Sequence, residues 1–340
     1  MTALEFALPP DLEASAPPRE RDDVRLLVAA PDGMRHERFA DFARFLQPGD
    51  LLVVNTSATL AAEVDGRRLG GAPVAVHFAS ALDDGSWVVE LRPPWPATGP
   101  VRDVRPGEHI EMPDGITLSA IEPHPDGQRR LWRASVAVDG GVRRYLARHG
   151  RPIRYAYVPA PHPLTAYQTV FADDPGSAEM PSAGRPFTTG IVTDLAVHGV
   201  AVAPVTLHTG VSSPEAGEPP QPEPYRVPSP TARLVNSTRD AGGRIVAVGT
   251  TVTRALESAA DVRGTVTGSA GWTDLVLGPD RPARVVNGLV TGWHAPGASH
   301  LSLLEAVAGG ELVASAYAEA LRERYRWHEF GDSCLLLPPA

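Results

Sequence analysis

The sequence predicts an α/β fold of two domains, with a small antiparallel β-barrel inserted into the main α/β domain. Three observations carry that expectation. The chain has 340 residues, above the roughly 250–300 at which a single core tends to divide. Short, wholly apolar strand runs alternate with helical patterns near both ends of the chain, as in sheets covered on both faces. Between residues 62 and 155 the pattern changes to short period-2 runs parted by Asp-Gly and Pro-Gly turns, the signature of a small barrel. The expected division is therefore 1–61 plus 156–340 for the α/β domain and 62–155 for the barrel.

Element by element, Leu26-Leu27-Val28-Ala29 reads as a strand and Phe39 to Leu46 as a short helix. Gly49-Asp50 then turns into the strand Leu51-Leu52-Val53-Val54. Val74 to Phe78, Trp87 to Leu91 and Trp132 to Val136 are barrel strands, with almost no helical periodicity between them. Thr188 can cap a helix whose apolar face is Ile191, Val192 and Leu195. That helix ends at Gly199, and Val200 to Leu207 follows as a strand. Residues 212–230, rich in Pro, Glu and Ser, read as a surface loop. Ile245 to Val248 is a buried strand entering Gly249-Thr250-Thr251, and Val252 to Ala259 is helical. Leu312 to Tyr325 has apolar residues at helical spacing.

Composition excludes several function classes. Hydrophobic residues make up 43% and charged residues 21%, so the chain can build a packed core. No apolar run approaches the ~18 residues of a membrane span, and the first residues resemble no export signal. One cysteine, Cys334, precludes an internal disulfide and suits a reducing cytoplasm. All 31 basic residues are arginine, which excludes Schiff-base chemistry and a Walker A lysine. A net charge of −9 argues against a non-specific nucleic-acid coat, while leaving room for a local basic face.

Four polar islands stand out. The strand–Gly249-Thr250-Thr251–helix segment offers free backbone N–H groups and a positive dipole end to a ligand. It lacks the spacing of the dinucleotide fingerprint and of the P-loop, and a plain tight turn remains the alternative. Val205 to Gly210 ends a strand with His208. Thr291 to Pro296 places His294 before a helix. Tyr325 to Asp332 packs ionisable groups among aromatics. The histidines have no short ligand spacing, so no metal is expected. Several islands at the ends of α/β elements point to one cleft.

Taken in order, these segments resemble the S-adenosylmethionine:tRNA ribosyltransferase-isomerase family of queuosine biosynthesis. The likeness begins with Leu8-Pro9-Pro10, Arg21-Asp22 and Pro48-Gly49-Asp50-Leu51-Leu52-Val53-Val54-Asn55. It continues through Tyr167-Gln168-Thr169-Val170-Phe171-Ala172, Pro181-Ser182-Ala183-Gly184, Phe187-Thr188 and Val205-Thr206-Leu207-His208. The longest match is Ala247-Val248-Gly249-Thr250-Thr251 with Arg254 and Leu256-Glu257-Ser258. Trp293-His294 and Tyr325-Arg326 with Phe330-Gly331-Asp332 complete it. The resemblance implies transfer and isomerisation of the ribosyl group of S-adenosylmethionine onto a 7-aminomethyl-7-deazaguanine in tRNA, with release of adenine and methionine. It implies S-adenosylmethionine as co-substrate, no metal, and a site between an α/β domain and a barrel. His208, His294, Arg254, Glu257 and Asp332 are the implied catalytic residues, with a histidine as proton acceptor because its ordinary pKa is closest to neutrality. Asn55, Ser182, Gly184, Thr188, Gly249, Thr250, Thr251, Tyr325 and Arg326 are the implied S-adenosylmethionine contacts.

The chain also departs from that pattern. Two arginines of the family are replaced at Ala58 and Glu63, its Leu-His pair reads Arg185-Pro186, and an Asn reads Gly292. Eight of the 31 arginines fall within residues 129–154, opposed in that stretch only by Asp139. Arg143, Arg144 and Arg148 among them are the expected tRNA contacts. The departures leave three readings open: the tRNA enzyme, a related enzyme acting on a small molecule, and an inactive S-adenosylmethionine-binding protein. A cytoplasmic monomer is expected, without membrane association.

Overall fold

The computed structural model describes residues 4–97, 99–212 and 220–339. In chain order the first strands are β1 (Arg25–Ala30), β2 (Gly33–Arg38), β3 (Leu51–Asn55) and β4 (Ser57–Thr59). Then come β5 (Glu63–Arg68), β6 (Pro73–Ala81), β7 (Trp87–Arg92), β8 (His109–Met112), β9 (Ile116–Pro123) and β10 (Leu131–Val136). After helix α1 (Val142–His149) follow β11 (Asp174–Ser177), α2 (Thr189–Val197), β12 (Ala201–Leu207), β13 (Glu223–Val227), α3 (Ser229–Asp240), β14 (Ile245–Val248) and α4 (Thr250–Ser258). The last elements are β15 (Ser269–Thr273), β16 (Gly288–Gly292), α5 (His300–Ala308), α6 (Gly310–Arg322) and β17 (Ser333–Leu336).

Nine strands form one mixed sheet in the order β15-β13-β12-β3-β14-β16-β17-β1-β2. At its centre β12, β3, β14 and β16 run parallel. Parallel strands need crossovers, and those crossovers cover both faces of the sheet. The apolar runs obey this alternation. Leu51, Val53, Ile245 and Ala247 pack against α3 to α6, whereas Leu52, Val54, Val246 and Val248 pack against α2 and the Phe39–Phe45 segment. The crossover from β3 to β12 thus lies on one face and α4, between β14 and β16, on the other. The connections diverge at the carboxyl ends of β3 and β14, where open α/β sheets form their ligand crevice.

The six strands β10-β7-β6-β5-β8-β9 close into a barrel. Closure leaves no sheet edge exposed, and its interior is filled by Val64, Val76, Phe78, Leu91, Ile110 and Leu118 among others. The barrel leaves the sheet after β3 and the chain returns to pair β12 beside β3. Phe39–Phe45 is a 3-10 helix rather than an α-helix. Within the stretch expected to lack helices, α1 forms because Val142, Tyr145 and Leu146 lie on one helical face and pack onto the barrel. The expected loop at 212–230 contains β13 and the start of α3, and its residues 213–219 lie outside the described residues. Pro224 is tolerated inside the sheet because its carbonyl, which needs no proline N–H, accepts from His208 N at 3.0 Å.

Candidate active site

A cavity of ≈ 450 Å³ opens where the barrel meets the carboxyl ends of the central strands, a size suited to a small-molecule substrate. Its floor is the β14–α4 turn. Gly249 has φ 94°, a conformation that favours glycine. Its N–H is held by Val290 O at 2.8 Å, while no side chain caps the first turn of α4. Thr250 and Thr251 therefore open an uncapped helix start, with its positive dipole end, into the cavity. Asn55 Nδ2, at the end of β3, donates to Thr251 Oγ1 at 3.3 Å and ties the two strand ends together.

One wall carries three histidines. His294 and His300 stack in parallel with ring centroids 4.6 Å apart, and Thr291 Oγ1 shares a hydrogen bond of 3.0 Å with His294 Nε2. Burial lowers both: His294 falls well below the ordinary histidine value and His300 to about 4. Burial thus favours the uncharged ring at both positions. His300 makes no hydrogen bond among the described residues. His328 stacks on Tyr157 with centroids at 4.1 Å and donates or accepts with Glu13 at 3.1 Å.

The opposite walls are charged. Arg254 forms an ion pair with Glu223 and donates to the carbonyls of Leu275 and Thr273 at 3.1 and 3.0 Å. Burial pushes the Glu223 carboxyl up against that pull. From the barrel, Arg92 and Arg130 both reach Glu90, at 2.7 and 3.2 Å. Tyr155 donates to Glu179, and Tyr157 donates to Glu329 at 2.5 Å. Burial pushes the Glu329 carboxyl up to about 7.

Among the residues the sequence singled out, Arg254, His294, Ser182, Gly249, Thr250 and Thr251 line this cavity. The others serve elsewhere, so the expectation of one shared cleft for all five catalytic candidates is corrected. Glu257 accepts from the N–H groups of Arg284, Val285 and Val286 and holds that loop, not Arg254. Asp332 accepts from Arg25 N and Arg326 N, both at 2.7 Å, and pairs with the Arg25 guanidinium. His208 is fixed by Ser57 Oγ at 2.7 Å and seated over Gly176, where a Cβ would lie 2.4 Å from its Nδ1. Asn55 also bonds Leu207 and Ser57, Thr188 caps α2 by accepting from Ile191 N, and Gly184 packs on Thr169. Tyr325 is fully buried beneath Arg25, and Arg326 donates to Asp11 O at 2.5 Å.

The sequence singles out none of Tyr155, Tyr157, Glu179 and His300, and offers Glu329 only as a member of the island Tyr325 to Asp332. A usable signal existed for the tyrosines: residues i and i+2 of an extended segment share a face. The arginine cluster is also smaller than its sequence density implied. Carboxylates from other strands reach it: Arg130 pairs with Glu90, Arg133 with Glu122 and Arg151 with Glu63 and Asp65. Arg143, Arg144 and Arg148 project from α1 as exposed side chains. Among the described residues no group of three His, Cys, Asp or Glu could hold a metal ion, and no helix is long and apolar enough to cross a membrane.

The sequence model of the queuosine biosynthesis protein family matches residues 1–336. The chain belongs to that family. An S-adenosylmethionine:tRNA ribosyltransferase-isomerase of Acidiphilium cryptum is 36% identical over 349 residues, covering 98% of this chain and 97% of the relative. One from Symbiobacterium thermophilum is 35% identical, covering 99% of each. Among solved structures, the S-adenosylmethionine tRNA ribosyltransferase of Thermotoga maritima matches with a TM-score of 0.56 and 30% identity. That match covers 98% of this chain and 99% of the other. The queuosine family likeness therefore runs through both the barrel and the α/β sheet.

Proposed function

We propose that the chain transfers and isomerises the ribosyl group of S-adenosylmethionine onto a 7-aminomethyl-7-deazaguanine of tRNA, releasing adenine and methionine in the cytoplasm. The observation that carries this reading is the end-to-end likeness to enzymes named for that reaction. The cavity at the strand ends supports it. S-adenosylmethionine occupies that cavity, with Gly249, Thr250 and Thr251 contacting it at the start of α4 and Ser182 from the facing turn. A base must remove a weakly acidic proton beside the sulfonium, and His294, neutral and stacked on His300, takes that role in place of His208. Arg254, held by Glu223, positions substrate, while the aromatic walls exclude water. Residues 62–155 form the domain that meets the acceptor, and Arg143, Arg144 and Arg148 on α1 track its phosphates.

A small-molecule acceptor is the second reading, favoured by the internal pairing of Arg130, Arg133 and Arg151. One assay separates the readings: adenine release from labelled S-adenosylmethionine, with and without tRNA carrying the deazaguanine. The proposal expects release that needs the modified tRNA and falls steeply with salt, each phosphate contact adding a slope of roughly −0.7 to −0.9 in log affinity. Replacing Arg143, Arg144 and Arg148 by Ala should flatten that slope and spare S-adenosylmethionine binding. Release that is indifferent to tRNA and salt would transfer the assignment to the small-molecule enzyme. No release under any condition would leave only a binding protein.

A further inference from the structure

Two carboxylates of the cavity have no part in the reaction as proposed. Glu179 and Glu329 both line it, each accepting from the hydroxyl of one tyrosine, and Tyr155 and Tyr157 are themselves stacked at 5.9 Å. We propose that Tyr155, Tyr157, Glu179 and Glu329 form a subsite for an organic cation, a primary ammonium or a sulfonium. The inference rests on the cavity being the substrate site and specifies the charge of the group that enters this corner of it.

Among the described residues only neutral donors serve these carboxylates. Glu179 accepts from Tyr155 and from Ser212 N and Oγ at 2.7 and 2.6 Å. Among the described residues no ion pair reaches either Glu179 or Glu329, although arginines stand nearby. Arg92 is bound to Glu90 and to Ala97 O, with its guanidinium carbon 5.9 Å from the Tyr155 ring centre. Arg185 lies over Phe330 at 5.1 Å and acts on Glu329 through space, without an ion pair among the described residues. Two carboxylates on one partly desolvated wall, neither in an ion pair among the described residues, repel one another. Burial raises the Glu329 carboxyl and Glu179 adds to it, against the hydrogen bond from Tyr157 and the pull of Arg185. An incoming cation relieves that cost. Hydroxyl-bound carboxylates supply charge-assisted acceptors for ammonium and sulfonium groups. Three groups of the proposed reactants have this chemistry: the aminomethyl arm of the acceptor, and the sulfonium and the ammonium of S-adenosylmethionine.

The test uses the full chain and simple salts first. Methylammonium and trimethylsulfonium chlorides should raise the melting temperature above that in sodium chloride of equal ionic strength, with methanol at the same concentration as neutral control. Glu179→Gln and Glu329→Gln should each weaken the effect roughly tenfold, as expected for loss of a hydrogen bond to a charged group, and the double variant should abolish it. Calorimetry then identifies the source. Loss in the variants of a preference for S-adenosylmethionine over its uncharged thioether, S-adenosylhomocysteine, assigns the subsite to the sulfonium. Loss of a preference for the aminomethyl base over the 7-cyano base assigns it to the acceptor. Onium salts that act like sodium chloride on the unaltered protein overturn the proposal, whether or not the variants fold, and so does a response the double variant retains. A protein that answers to onium salts but binds no S-adenosylmethionine refutes the proposed function alone.

Discussion

His300 and Glu329 face the same cavity with protonation preferences displaced in opposite directions, both by burial. For His300, about 4 in the folded chain against 6.5 ordinarily, the unfolded state binds more protons between those values. Its contribution to stability is complete above pH 6.5 and is lost as the pH falls toward 4. For Glu329, about 7 against 4.5, the native state binds more protons, so its contribution is complete below pH 4.5 and is lost as the pH rises through 7. Urea unfolding across pH 4–8 should therefore show His300→Gln flattening the acid limb and Glu329→Gln flattening the neutral limb. Unchanged limbs would mean that neither ring nor carboxyl is desolvated as described. At this scale the sequence was only half informative. It located the island Tyr325 to Asp332, yet the side chains that enter the cavity are His328 and Glu329, while Tyr325 is buried in the core and Asp332 anchors β1. Residue type marks an island as polar, but only the backbone path decides which of its members turn inward.

Among the elements, the junction of β5 with the segment after α1 explains why an acidic side chain stands at position 63. Glu63 is buried and accepts from Arg151 Nε at 2.9 Å, with His77 Nε2 at 3.3 Å. Burial pushes its carboxyl up, but His77 and Arg151 outweigh that and hold it below the ordinary value. Backbone bonds of 2.9 Å in both directions join the same two residues, Glu63 and Arg151. Glu63→Ala leaves the buried His77 without this carboxylate, while Arg151 keeps Asp65, and should cost about 2 kcal/mol in urea unfolding, part of which a Glu63→Ala/His77→Ala double variant recovers. A loss below about 0.5 kcal/mol would show that the backbone bridge holds the junction alone. Most elements were legible because their signal is local: wholly apolar strands, the Thr188 cap, the turn at Gly249. β13 was not, since its proline and charges argue against a strand and its pairing comes from β12 and β15 on either side. Helix α1 was hidden by its arginines, with only three buried positions to betray it.

Across the whole molecule, the insertion of the barrel between β3 and β12 was visible as a change of sequence period, whereas the order of the sheet was not, because strand order is set by contacts between distant segments. The clearest case is β17, which lies between β16 and β1, antiparallel to one and parallel to the other. Asp332 just before it fixes β1 through Arg25 N, 307 residues away. Removing residues 333–340 should therefore leave two unpaired strand edges inside the sheet. The truncated chain is expected in the insoluble fraction on expression, and a soluble product with native circular dichroism would contradict this account. Synthesis proceeds from the N-terminus, so β1 and β2 emerge long before the strand that joins them to the rest, and they wait as a loose hairpin. The barrel, by contrast, draws all six of its strands from residues 63–136 and can close while the remainder is still being made. The nascent chain thus carries a finished barrel and an unfinished sheet, and during that interval its greatest need for chaperone protection lies at the bare edges of β1 and β16.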